Sequence, residues 1–323
     1  DPLDPAGIYR RKWPIEEGWN ITTAGSCFAQ HVSSYLRDNG FPVLDFEQPP
    51  PGLPPRLHRE FGYSMYSARY GNIYTVRQLL QLAREARGEF TPGEIVWEAR
   101  GRFFDALRPN VEPEGLESAA EVLEHRACHL ARVRHMLWFS DLFIFTLGLT
   151  EAWVHKATDT VFPTAPGVIA GDFDPAVYEF RNFSFNEIVD DVEAFMRLVE
   201  GHRNGRPFHV ILTVSPVPLT ATAAGRHVLV STAYSKAALR AAAGELSARH
   251  PLVDYFPSYE IITNPAARGV FFQPNLRSVT KAGVAAAMRC FFGQHGARRA
   301  ASGSPADPAA AVCEDVMLEA FAS

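Results

Sequence analysis

Lysine is scarce in this chain: only four occur among the 31 lysines and arginines of 323 residues. With its abundant alanine, that usage reads as genomic composition bias rather than function. No basic block interrupts the chain, and the formal net charge is −5. That argues against a dedicated nucleic-acid binder. No run of 18 apolar residues exists, so no membrane-spanning helix is expected. The four cysteines, Cys27, Cys128, Cys290 and Cys313, lie far apart and form no CxxC pair. Zinc-ribbon and thioredoxin-type readings are therefore weak, and a disulfide framework does not suit a chain of this size. A reducing, cytoplasmic compartment fits. No signal-peptide pattern is visible, although the chain begins at Asp1 rather than Met, which is consistent with a removed segment. Neither GxGxxG nor a Walker loop occurs, which leaves a nucleotide binder poorly supported. No cofactor and no metal are implied.

What is present is a globular composition, 47% apolar and 21% charged, long enough for a substantial core. Residues 1–19 carry Trp13 and Trp19 and read as a strap over that core. A β-rich run from Asn20 to Ala24 leads into a helix from Phe28 to Arg37, and Phe41–Phe46 has the length of a second strand. Residues 47–57 are too proline-dense for helix or central strand. Val76–Arg87 is amphipathic, with Thr75 as its cap, and Ser118–Leu137 has helical spacing. Leu142–Gly148 and Phe208–Ser215 are continuous apolar runs of strand length, the pattern of strands covered on both faces. Between them, residues 149–183 are mostly non-helical and fit an inserted hairpin or lid, followed by a helix over Asn186–Glu200 capped by Ser184. A long loop over 219–233, a helix over Ser235–Arg249, a short strand over Leu252–Phe256 and a helix over Thr280–Phe292 follow. The alternation predicts an α/β fold, a three-layer α/β/α sandwich with a mainly parallel sheet, as one domain over 1–295. A flexible tail is expected over 296–323.

In such sheets ligands bind beyond the carboxyl ends of the strands. Four segments there carry small or polar residues: Gly25-Ser26-Cys27, Gly148-Leu149-Thr150-Glu151, Ser215-Pro216-Val217-Pro218 and Pro257-Ser258-Tyr259-Glu260. Gly25 permits a sharp strand-to-helix turn, Ser26 suits an N-cap, and Cys27 falls in the first helical turn, where the helix dipole favours thiolate. The plainer reading of Cys27 is a buried packing cysteine, since free Cys is among the most buried residue types.

The run Gly25-Ser26-Cys27-Phe28-Ala29 resembles the motif that names the GSCFA domain family. The resemblance continues in Gly71-Asn72 with Tyr74, in Thr146 to Trp153, in Thr213-Val214-Ser215-Pro216-Val217, in Tyr234-Ser235-Lys236 with Leu239, and in Phe256 to Glu260. That family looks like a branch of the SGNH (GDSL-like) hydrolases, which implies a flavodoxin-like fold and acyl-ester chemistry as hydrolase or O-acyltransferase. The acyl groups would be linked to carbohydrate or lipid. The serine of the Gly-Asp-Ser motif then falls on Cys27, with Ser26 the alternative if the turn is one residue out of register. Gly71 takes the place of an oxyanion-hole glycine, and Thr150 that of an asparagine. The stretch that should hold Asp-x-x-His is Asn275-Leu276-Arg277-Ser278, with neither residue.

Acyl transfer needs a nucleophile, a base, an orienting acid and oxyanion donors. His227, in the expected loop after the Ser215 strand, is the leading base, with His155 second and His31 third. Glu260 orients the base or binds substrate, and Glu151 carries the same ambiguity; each has an ordinary alternative as a cap or ion pair. The N–H groups of Cys27 and Gly71, with Asn72 or Thr150, would hold the oxyanion, and Ser215 stands beside them. Lys236 fits an anchor for a loop or for a substrate anion. Trp153 and Tyr74 fit the walls of an acyl or sugar site, or core. His125, His129 and His135 read as a helix surface. The partner is a small-molecule or glycan acyl substrate. The competing reading keeps the scaffold as a non-catalytic binding module in polysaccharide assembly.

Overall fold

The computed structural model describes Leu3, Pro5 and residues 7–296. Apart from Gly296, the expected tail, with Cys313, lies outside the described residues. In chain order the elements are β1 (Ile21–Gly25), α1 (Cys27–Asp38), α2 (Val76–Ala86), β2 (Val96–Ala99), β3 (Arg102–Asp105), α3 (Ala119–Phe139), β4 (Leu142–Leu147) and β5 (Glu151–His155). They continue with β6 (Thr160–Phe162), β7 (Tyr178–Asn182), α4 (Phe185–His202), β8 (His209–Val214), α5 (Val228–Arg249), β9 (Val253–Tyr255), α6 (Ser258–Thr263) and α7 (Lys281–His295).

β1, β4, β8 and β9 pair in that order, all parallel. Along β4, Phe143, Phe145 and Leu147 enter the core under α2, α3, α4 and α5, while Leu142 and Ile144 enter the core under α1, α6 and α7. Two apolar faces explain why this strand reads as an unbroken hydrophobic run, and the result is the three-layer arrangement. Each large side chain so buried contributes about 1.5–3 kcal/mol. Trp13 and Trp19 stack edge to face at 5.8 Å and pack against the α1/α7 core.

The helix starts follow their caps. Thr75 Oγ1 accepts from the Gln78 N–H at 3.2 Å, and Thr280 Oγ1 from the Gly283 N–H at 3.1 Å. Ser184 and Glu187 close a reciprocal capping box on α4. Two expectations change. Phe41–Phe46 is no strand: it reduces to a single parallel bridge between Val43 and Ile21. Pro42, with no N–H to give, accepts from Ile21 instead, at 3.1 Å. That bridge still places the segment outside β1, so the chain runs second-first-third-fourth-fifth across the sheet, a doubly wound order. Secondly, α5 starts at Val228, well before Ser235, because the His227 imidazole caps it.

Residues 149–183 form a small antiparallel sheet with β5 between β6 and β7. Gln81 of α2 holds it in place, donating to the Asp159 carbonyl at 2.6 Å and accepting from the Val161 N–H at 2.9 Å. The β2–β3 hairpin shares a core with it through Trp97, Phe104, Phe162 and Tyr178. At the end of β3, buried Asp105 sits between Arg108 at 2.7 Å and Arg126 at 3.0 Å. His129 belongs to the same buried layer, its Nδ1 2.7 Å from Glu47 Oε2. The expected surface position of His129 is therefore corrected: α3 turns this residue inward, and burial pushes its pKa down to about 4. No cluster of metal-ligating side chains occurs among the described residues. No helix among them is long and apolar enough to cross a membrane.

Candidate active site

Strand register assembles the site. Gly25 pairs with Thr146, and Thr146 with Thr213, so the three central strands end in line. Ser26, Gly148 and Ser215, the residues just beyond, therefore meet at one edge. Gly25 has φ +140°, and a Cβ there would lie 2.6 Å from the Thr146 carbonyl oxygen. Only glycine lets β1 turn this closely against β4. Gly148 is similarly confined: a Cβ would stand 3.0 Å from the Tyr74 carbonyl oxygen and 3.1 Å from Ser26 Cβ.

Ser26 is the N-cap of α1 by backbone conformation, but its side chain makes no capping bond. Its Oγ is buried with no hydrogen-bond partner among the described residues. Cys27 opens the helix and is 6% exposed. Both line a half-open cleft of about 330 Å³. The three-stranded sheet gives one wall (Trp153, Phe180) and the segment after β8 gives another (Val217, Leu219), with Tyr74 at the α2 side. Tyr74 and Trp153 thus belong to the cleft surface rather than to the interior alone.

Glu151 and Ser215 join Ser26 and Cys27 in the cleft. Glu151 is the one carboxyl side chain among the described lining residues, and no lysine, arginine or histidine joins it there. Thr222 Oγ1 donates to Glu151 Oε1 at 2.9 Å and lies 3.1 Å from Ser231 Oγ. Ser215 is fixed in the strand end: its N–H donates to the Leu147 carbonyl at 2.9 Å, and its Oγ accepts from the Val217 N–H at 3.3 Å.

Gly71, Asn72 and Thr150 stand outside the lining. Gly71, at φ +68°, faces Val111 and Arg108. Asn72 is buried behind the nucleophile turn; its Oδ1 lies 2.6 Å from the Tyr66 hydroxyl, which is 3.1 Å from the Ser26 carbonyl oxygen. It braces the turn instead of facing substrate. Thr150 is buried, its N–H donating to Ser235 Oγ at 3.1 Å. Next to Ser235, the buried Lys236 donates from Nζ to the Gly148 carbonyl at 2.8 Å, as a loop anchor should.

The two remaining assignments need correction. His227 is exposed and occupied as the α5 cap, its Nδ1 accepting from the Leu229 N–H at 3.2 Å; it is not in the cleft. The cause is the early start of α5, which makes His227, the last residue of the loop, its cap. Glu260 is in the first turn of α6, paired with Arg240 and accepting from the Tyr255 hydroxyl at 2.7 Å, again outside the cleft. His155 bonds Thr158 at 3.1 Å at the far end of β5. His31 is held neutral on α1, burial and Arg59 pushing its pKa down to about 4. Asn275–Ser278 is a tight turn in which Asn275 Oδ1 accepts from the N–H groups of Arg277 and Ser278 at 3.0 Å. Arg277 reaches from it to the Thr220 hydroxyl, tying this turn to the cleft wall. Sequence reasoning missed Thr222 and Thr220. Both lie in the segment after β8, and the strand-end rule would have found them if carried past Pro218.

Residues 20–291 match the model of one protein family, described as the GSCFA family. No curated protein and no solved structure matches the chain.

Proposed function

The chain belongs to the GSCFA family, and from that premise we propose that its cleft is an acyl-transfer site of SGNH type, acting as esterase or O-acyltransferase on carbohydrate- or lipid-linked acyl groups. The observation that carries this reading is the meeting of Ser26, Cys27 and Glu151 in one largely apolar cleft at the start of α1. Cys27 Sγ attacks the acyl carbonyl, with Ser26 Oγ the alternative nucleophile. The S–C bond forms as the ester C–O bond breaks, and Glu151 accepts the thiol proton and passes it to the leaving alcohol. Backbone N–H groups in the first turn of α1 stabilise the oxyanion, since a helix start has donors without intrahelical partners. Water or a second alcohol then attacks the thioester, gives its proton to Glu151 and restores the thiol. A thiol needs less help from a base than a hydroxyl does, which suits a site served by a carboxylate rather than a histidine.

The second reading, a binding module without turnover, draws on one feature: no histidine lines the cleft among the described residues. Intact-protein mass separates the two after incubation with p-nitrophenyl acetate and p-nitrophenyl octanoate. A single acyl adduct absent only from Cys27→Ala establishes the thiol nucleophile. Absence only from Ser26→Ala moves the chemistry to the hydroxyl. No adduct and no p-nitrophenol release from any form supports the binding module.

A further inference from the structure

We propose that the acyl group this site accepts is a linear apolar chain of medium length, about six to ten carbons, rather than acetyl. The inference rests on the acyl-transfer reading above and adds to it the identity of the acyl class. Its basis is the shape and chemistry of the walls. The cleft holds about 330 Å³. Ligand pockets of about 300–1,000 Å³ bury most of a drug-sized ligand, so an acyl chain of about six to ten carbons fits this space. An acetyl group would fill only a small part of it.

The nucleophile turn stands at one side of this space. The walls leading from it carry Trp153 and Phe180 from the small sheet, Val168 and Ile169 from the β6–β7 connection, and Val217 and Leu219 from the segment after β8. None of these six side chains offers a charge, so water left against them gains little, and an alkyl chain that displaces it is favoured. The walls are also braced. Trp153 meets Phe173 edge to face at 5.0 Å and Phe180 at 5.9 Å. The segment after β8 is tied down by Thr222 on Glu151 of β5 and by Arg277 on Thr220. Walls tied down in this way make a preformed site, the kind that reads chain length.

The test is a series of p-nitrophenyl esters from acetate to dodecanoate. At each length the ester C–O bond breaks, p-nitrophenolate leaves and the acyl group passes to the enzyme and then to water. In the wild-type protein, kcat/KM should rise by about fourfold per methylene over the shorter members, and level off or fall beyond about ten carbons. Val168→Trp and Ile169→Trp fill the slot from one side. Each should lower the octanoate rate more than tenfold and the acetate rate less than threefold, with an unchanged circular dichroism spectrum. Acetate turned over as well as octanoate, with the adduct still on Cys27 or Ser26, would overturn the chain-length inference and leave the acyl-transfer reading intact. Equal losses on both esters in both folded variants would also overturn it. No adduct at any length would instead remove the reading on which it rests.

Discussion

Lys236 Nζ donates to the carbonyl oxygen of Gly148 at 2.8 Å, across 88 residues of sequence and almost entirely out of solvent. The contact fixes the loop that leaves β4 against the nucleophile turn, since Gly148 packs directly on Ser26. Lys236→Met keeps the aliphatic stem and removes the donor. It should cost about 1–3 kcal/mol, the range for leaving a buried acceptor unsatisfied, measured by urea unfolding. Acylation should slow more than this stability loss alone would cause, because the loop also carries Glu151.

Gly25→Ala tests the turn itself. The new methyl would sit 2.6 Å from the Thr146 carbonyl oxygen, at a backbone angle that L residues rarely adopt. The expected cost is about 3 kcal/mol or more, combining strain with overpacking. A thermal melt should show it, and unchanged stability would mean that β1 and β4 separate more easily than their pairing suggests.

Glu151→Gln removes the cleft's carboxylate and keeps its shape and its acceptor oxygen for Thr222. Loss of a positioned acid–base group typically lowers turnover by about 10²–10⁴. Single-turnover acylation by p-nitrophenyl octanoate should fall by at least a hundredfold, with the melting temperature changed little. A variant with wild-type rates would assign Glu151 to substrate binding or to anchoring the segment around Thr222.

Asp105 predicts an acid limb in the stability curve. Burial alone would raise its pKa, but the guanidinium groups of Arg126 and Arg108 outweigh burial and hold it down at about 2. Because the folded value lies below the unfolded one, near 3.9, the unfolded chain binds the proton more readily. The stabilisation is therefore complete above about pH 4 and disappears as pH falls through about 2. Asp105→Asn should flatten that limb in urea titrations. At neutral pH it should cost about 3–5 kcal/mol, since two buried guanidinium groups lose a shared carboxylate.

The parts of this architecture that depend on local pattern were legible in the chain. β4 and β8 are continuous apolar runs because each is covered on both faces, and Thr75, Ser184 and Thr280 mark helix starts because their hydroxyls satisfy the first N–H groups. The turn at Gly25-Ser26-Cys27 was legible from a glycine, a cap-type residue and a helical run in immediate succession, although Ser26 takes the cap position by backbone conformation alone. His227 was misplaced because nothing between it and Ser235 breaks a helix, so α5 began earlier than the alanine-rich stretch suggested. Glu260 met Arg240, the ordinary alternative for a carboxylate on a surface turn.

The sequence by itself thus determined the strands, most of the caps and the residue that turns toward the helix start, since each follows from steric and hydrogen-bonding preferences within a few neighbours. Only the tertiary structure decided which polar groups share the cleft. Glu151 faces it and His227 does not, because the path of the 215–227 segment and the docking of β6, the neighbour of β5, on α2 set those positions. Hydrogen-bond reach of about 3 Å is settled by how distant segments pack, and no local spacing encodes it.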